Sequence, residues 1–457
     1  MARNSTVSAD PNAPPITAEL ARFAVEHPSR GWSDAVDREA HRTFANWVGC
    51  AIGPSQHETV IAALAAVQVL QPAPQASLLG RAEKVDIASA ALLNGIASHT
   101  FDFDDTHLKT IIHPAGPVAP AVLALCEHMN LGGRAMLDAL VLGIEVSCRV
   151  GNAIYPDHYD RGWHITGTTG MLGSAAACSR LLGLDAARTQ MALGIAASQP
   201  TGLREQFGTM TKPFHPGGAA RVGLMSALMA QHGYTASKRA LEAPRGLLQV
   251  FSDKTEWSEI REGLGTRWES ALNTYKPFAC GIVIHPAIDG CVQLRNAYGL
   301  KPEQIEKITL KVHSLVLELT GKKTPSDGLQ SKFSVYHSCA VGLIFGQAGE
   351  HEYTDEVVNR PDVLALRAKV EAIVDDRIDE ASADLTIRTT DGRELHLFVE
   401  HAIGSVDKPM SDAQLRAKFA GQSEPVLGAA KTARAWDLAM GIAQCSDLRE
   451  FIAAATL

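Results

Sequence analysis

The segment His99–Gly116, HTFDFDDTHLKTIIHPAG, packs three aspartates and three histidines into eighteen residues. Carboxylates beside imidazoles are the groupings of general acid/base chemistry. The flanking Phe101 and Phe103 supply apolar bulk that would bury those groups and shift their proton affinities. The same residue types allow two other readings. Asp102, Asp104, Asp105 and the histidines could hold a hard or borderline cation. An Asp-rich turn could instead cap the helix expected near Pro117.

Three further segments carry chemistry-bearing side chains. In Tyr159–Gly173, YDRGWHITGTTGMLG, small residues and threonines lead toward a helix expected to start near Gly170. Backbone N–H groups at Gly167 and Thr168 would then face an anion at a helix N-terminus. The segment is not GxGxxG and no strand precedes it, which argues against a dinucleotide. His164 reads either as a proton carrier or as a satisfied core histidine. In Arg204–Gly218, REQFGTMTKPFHPGG, Lys212 precedes Pro213, so its backbone is expected extended and outside a helix. Enclosure by Phe207, Met210 and Phe214 would lower its pKa toward that of a useful base; the plainer reading is a solvated loop lysine. His215 is a weaker candidate. Tyr275-Lys276-Pro277-Phe278 repeats the Lys-Pro-Phe pattern where the texture of the chain changes, and His285-Pro286 follows it.

These loops need a scaffold. Ala-rich segments predict helices at 34–52, 58–69, 86–99, 117–128, 135–154, 170–182, 186–197 and 217–232, and small residues at that density let helices approach closely. Beyond Pro277 the pattern changes. Helical residues 282–298 lead to a strand-like run at 307–319, and alternating strands at 383–389 and 394–401 flank the hairpin turn Thr390-Asp391-Gly392. Helices are expected at 338–345 and 361–374, and helical texture returns after Ser411. The expectation is a mainly α protein: a large helical domain formed by 1–275 with 406–457, and a smaller α+β domain at 276–405. A chain of 457 residues exceeds one ordinary core.

The composition excludes several classes. A net charge of -8 disfavours a nucleic-acid binder. The eight scattered cysteines form no CxxC pair, so neither disulfides nor a zinc site is expected. The polar segment Met1–Pro15 lacks the apolar run of a secretory signal, and apolar runs fall short of the ~20 residues that span a bilayer. A cytoplasmic protein with no membrane partner is expected.

Together the motifs FDFDDTH…HPAG at 101–116, YDRGWHITGTTG at 159–170, TKPFHPGGAA at 211–220 and YKPFACG at 275–281 resemble the MmgE/PrpD family over nearly the whole chain from Thr17. The resemblance implies a helical domain built from both chain ends, a smaller α+β lid, a homodimer and no cofactor. It further implies a lyase that abstracts a proton next to a carboxylate of a small di- or tricarboxylate, of the dehydratase or decarboxylase type. The alternative is an epimerase of an iminodisuccinate-like dicarboxylate using the same residues. By motif position the functional residues are Asp102, Thr106, His113, His164, Lys212 and Lys276, with Tyr159 added from the epimerase-like members. In this reading His113 and His164 exchange protons and Tyr159 is the opposite-face acid, while Asp102 tunes a nearby histidine. Lys212 and Lys276, with Thr106 and the Gly167 and Thr168 N–H groups, meet substrate carboxylates. Two departures stand out. Leu317 occupies the place where decarboxylase-type members carry a tyrosine, and the loop between Thr106 and His113 is one residue longer than theirs and less polar than the dehydratase form.

Two rivals come from other classes. Asp102-x-Asp104-Asp105-Thr106 matches the DxDxT opening of haloacid-dehalogenase-type phosphatases, but that motif must end a buried strand, and residues 88–99 read as helix. The other rival is a catalytically inactive helical scaffold.

Overall fold

The computed structural model describes residues 13–375 and 377–457. Helices form where the chain is Ala-rich and a polar residue caps the start. Ser33 accepts from the Val36 N–H at the head of helix Asp34–Ile52. Asp86 accepts from Ala88 and Ser89 at the head of helix Ile87–Thr100, which is buried from Ala90 onward. Both caps satisfy N–H groups that a helix start leaves unpaired.

Helix Thr211–Gln231 packs on helices Ile87–Thr100, Ala115–Met129 and Ile165–Leu181. Glycines set how close these helices come. A Cβ on Gly95 would lie 2.5 Å from Gly217 Cα, and one on Gly143, in the neighbouring helix Gly133–Ile154, would lie 2.7 Å from the Gly173 carbonyl oxygen. The helices therefore cross nearly backbone to backbone, and that crossing fixes where their ends deliver side chains. One large apolar cluster joins Phe44 and Trp47 to Phe419, Trp436 and Phe451 from the other end of the chain.

A second cluster surrounds a four-stranded sheet. In spatial order its strands are Val370–Val374, Ile305–Val312, Ala383–Thr389 and Glu394–Val399. The first pair is parallel, with Ile308 opposite Val370; the other pairs are antiparallel, with Leu310 opposite Leu385 and Leu385 opposite Leu397. Helices His285–Tyr298 and Val335–Phe345 lie against the sheet.

Several boundaries differ from expectation. The strand-like run 307–319 ends at Val312, and helix Ser314–Thr320 follows, capped by His313 Nδ1 accepting from Leu315 N–H. The helix expected at 361–374 stops at Arg367, and its β-branched tail Val370–Val374 joins the sheet instead, where branched side chains pack well. The helices expected from Gly170 and Gly217 begin earlier, at Ile165 and Thr211. Glycines and prolines obscured both starts, although Pro213 sits in a first helical turn, where its missing N–H costs nothing. Among the described residues no helix is long and apolar enough to cross a membrane.

Candidate active site

Helix Ile87–Thr100 ends at the site with His99 in its last turn. The chain then turns through Asp102 in the left-handed region, φ 51°, a conformation aspartate tolerates better than most residues. A short strand, Asp105–His107, pairs antiparallel with Asn273–Tyr275, setting Asp105 opposite Tyr275. That register carries the next residue, Lys276, back over Asp102 and Asp104. Its Nζ lies 2.6 Å from Asp102 Oδ1 and 3.8 Å from Asp104 Oδ1. Lys212, in the first turn of helix Thr211–Gln231, donates to the same Asp102 oxygen at 2.9 Å. Its ammonium stands 5.3 Å from the Phe207 ring and 5.2 Å from that of Phe333. All these charged groups are buried.

Histidines complete the cluster. His113 donates from Nδ1 to the Asp105 carbonyl oxygen at 2.7 Å, and its backbone N–H donates to Thr166 Oγ1 at 3.1 Å. Its Nε2 is thereby left as the free lone pair. His164, the N-cap of helix Ile165–Leu181, holds its Nδ1 2.9 Å from His215 Nδ1, so one ring donates and the other accepts. The His113 and His164 ring centres are 6.3 Å apart. His99 donates from Nδ1 to Asp104 Oδ2 at 2.6 Å.

The electrostatics follow from burial set against pairing. Burial alone would raise Asp102, but Lys212 and Lys276 hold its carboxyl well below the usual range. Burial lowers Lys212 despite Asp102. It would lower Lys276 too, but the attraction of Asp102 and Asp104 leaves that lysine raised. Burial pushes His113 down to about 3 and, with the neighbouring His215 and Lys212, sends His164 well below its ordinary value. At neutral pH Asp102 and Asp104 are therefore ionised, Lys276 is an ammonium, and His113 and His164 are neutral. Burial raises Tyr159, keeping it a phenol, and the Arg204 guanidinium lies 4.2 Å over its ring.

Asp102, His113, Tyr159, His164, Lys212 and Lys276 all line one cavity of about 30 Å³, with Ile111, Ile282, Val283, Phe207, Leu319 and Phe333 as apolar wall. Three other residues expected at the site do not line it. The Thr106 hydroxyl sits behind the ring of His113, 3.2 Å from Nδ1. The N–H groups of Gly167 and Thr168 point back to the His164 carbonyl oxygen because the helix has already begun, so they are not offered to an anion. A Cβ on Gly167 would meet the Thr201 carbonyl oxygen at 2.3 Å, so that glycine serves packing, and the Thr168 hydroxyl bonds His158 Nε2 at 2.7 Å. Asp102 touches lysines; Asp104 is the aspartate that orients a histidine. The capping reading applies to Asp105, which accepts from Ala115 N–H at 3.0 Å and whose carboxyl is pushed up to about 7 by burial and by Asp104. The phosphatase motif lacks its strand, since a helix precedes Asp102. Leu317 lies on helix Ser314–Thr320 outside the cavity, which Leu319 and Thr320 reach instead.

Sequence reasoning passed over the His99–Asp104 pair and the wall residues Phe333, Leu319 and Val283. A His at a helix end five residues before an Asp was the available signal for the pair. The wall had none, because it comes from the sheet-bearing part of the chain.

A helical scaffold thus converges buried lysines, carboxylates and histidines on one cavity. Residues 18–260 match the MmgE/PrpD N-terminal domain and residues 278–442 the MmgE/PrpD C-terminal domain. The chain belongs to the MmgE/PrpD family. It is 27% identical to a cis-aconitate decarboxylase of Aspergillus terreus over 96% of both chains. It is 28% identical to the cis-aconitate decarboxylase of Mus musculus, over 74% of this chain and 72% of that one. With the 2-methylcitrate dehydratase of Salmonella typhimurium it shares 25% identity, over 51% and 52% of the two chains.

Proposed function

We propose that this protein is a lyase acting on a small tricarboxylate or dicarboxylate by removing a proton from the carbon next to a carboxylate. The observation that carries the reading is the pair of lysines sharing one Asp102 oxygen inside a cavity that also holds His113 and His164. A substrate carboxylate can take over part of the charge pairing that Asp102 supplies to the two lysines. The lysines then face the negative charge that develops as the proton leaves. His113, its Nδ1–H held by the Asp105 carbonyl oxygen, presents Nε2 as the base. Burial lowers its proton affinity, and a multiply charged anion arriving beside it raises that affinity toward the working range. His164, relayed to His215, and Tyr159 are the acids available to a leaving hydroxyl or to the product carbon. Thr106 positions His113.

The relatives that span most of this chain are named for decarboxylation of cis-aconitate and a partial relative for dehydration of 2-methylcitrate, which favours a lyase over an epimerase. The cavity of about 30 Å³ has room for a water or two, so substrate entry requires the wall of Phe207, Leu319 and Phe333 to move outward, as closing segments do in many enzymes. We also read the protein as a homodimer, since Phe214 and Met225 stand exposed along one side of helix Thr211–Gln231, and as cytoplasmic. The functional test is proton NMR in deuterated water with citrate, 2-methylcitrate, cis-aconitate, malate, tartrate and iminodisuccinate analogues. A new vinylic signal or loss of carbon dioxide supports the lyase. Deuterium entering without net conversion makes the protein an epimerase, and a silent panel removes the reading.

A further inference from the structure

The imidazoles at this site outnumber what a two-base proton transfer needs. One ring nitrogen each from His99, His113 and His164 lies within 4.8 Å of the other two, and His99, Asp102 and Asp104 form a second such group. In every ring of the first group Nδ1 is already engaged. His99 uses it on Asp104 Oδ2 at 2.6 Å, His113 on the Asp105 carbonyl oxygen at 2.7 Å, and His164 on His215 Nδ1 at 2.9 Å. A ring whose Nδ1 carries the proton has its lone pair on Nε2, as His99 and His113 do. A carboxylate or carbonyl behind Nδ1–H is the arrangement that orients an imidazole toward a metal. Two further atoms call for a ligand: His99 Nε2 and Asp102 Oδ2 are buried without any hydrogen-bond partner, in side chains that are 1% and 3% exposed.

We propose that His99, His113 and His164 bind one borderline divalent cation of the zinc type, leaving a fourth position open beside the free oxygen of Asp102. Zinc–nitrogen bonds of about 2.0–2.1 Å require the three nitrogens to draw together from their present spacing. Lys212 and Lys276 stand close by and disfavour a hard ion held by charge alone, whereas imidazole donors suit zinc or cobalt. A bound ion takes the lone pair of His113, the base, so it switches proton transfer off. That consequence, unlike the binding itself, rests on the function proposed above.

The test titrates the chelator-treated full chain with Co²⁺. One equivalent is expected to give a visible d–d band of tetrahedral intensity that Zn²⁺ bleaches and that His99→Gln abolishes. Asp104→Asn, which neutralises the partner behind His99 and the charge near Lys276 and His113, should weaken binding about 10–100-fold. X-ray absorption of the wild-type zinc form needs no variant and should show three imidazole nitrogens at about 2.0–2.1 Å. An unchanged spectrum at excess cobalt, sulfur ligands around zinc, or a band retained in a folded His99→Gln overturns the site. One equivalent of Zn²⁺ should also slow turnover at least tenfold, with recovery on chelation. Metal spectra without turnover of any polycarboxylate would keep the metal site and remove the lyase; turnover indifferent to zinc, with no spectra, would do the reverse.

Discussion

Asp102→Asn is the substitution that interrogates the buried charges most sharply. It keeps the shape of the side chain but takes the shared counter-charge from two ammoniums, 2.9 Å and 2.6 Å from the same oxygen. Breaking a buried pair by removing one partner costs about 3–5 kcal/mol. Asp104 stays 3.8 Å from Lys276, so Lys212 carries most of the penalty. Burial has already lowered the proton affinity of Lys212, and the variant lowers it further. Its folded pKa then lies below the unfolded value, so the unfolded state binds more protons in that window and stability rises with pH through it. The penalty should therefore be largest at pH 6–7 and shrink toward pH 10. A polycarboxylate replaces the missing charge, so it should raise the urea midpoint of the variant more than that of the wild type; a ligand at a hundred times its Kd contributes about 2.7 kcal/mol. The assay is urea unfolding at three pH values with and without citrate. A variant within about 0.5 kcal/mol of wild type, the scale of an ordinary surface change, would refute the reasoning. So would a loss that ignores both pH and ligand.

Three further outcomes follow. His113, His158, His215, His285 and His337 are buried and pushed down to about 3 or 4; since the unfolded chain binds those protons near pH 6.5, each costs up to about 1.4 kcal/mol per pH unit below that. Circular dichroism should show cooperative unfolding setting in below about pH 6, and a fold unchanged at pH 4 would contradict it. Gly95→Ala drives a methyl into Gly217 Cα at 2.5 Å and should cost about 1–3 kcal/mol and most activity, because both helices deliver site residues; unchanged thermal stability would refute the close crossing. Phe333→Ala admits water to Lys212 from the outer cleft that Phe207 and Phe333 separate from the cavity, so the alkaline limb of kcat/KM should move up by about one pH unit, and an unmoved limb removes Lys212 from substrate binding.

Much of this site was readable because the motifs are local. Asp102, His113, His164, Lys212 and Lys276 stand in short segments whose residue types already pointed to acid/base work, and they share one cavity. The roles of Gly167 and Thr168 were misread because the helix start was placed five residues late, and glycine carries no side chain to mark a cap. Lys212 was expected extended before Pro213, yet proline is at home in a first helical turn. The register that brings Lys276 to Asp102 runs through two three-residue strands, too short for any alternation to show. The α+β part showed its hairpin through Asp391-Gly392, whereas Val370–Val374 was hidden because a parallel strand's partner lies far away in sequence.

The central claim is that His113 removes a proton from a carbon beside a carboxylate held by Lys212. Deuterium wash-in from solvent into the substrate identified by the NMR panel, compared among wild type, His113→Gln and Lys212→Met, tests it most directly. The account predicts that wash-in falls about 10²–10⁴-fold in His113→Gln while its unfolding midpoint stays near wild type, and that Lys212→Met loses affinity for the carboxylate. Wash-in at the wild-type rate in a folded His113→Gln would contradict it.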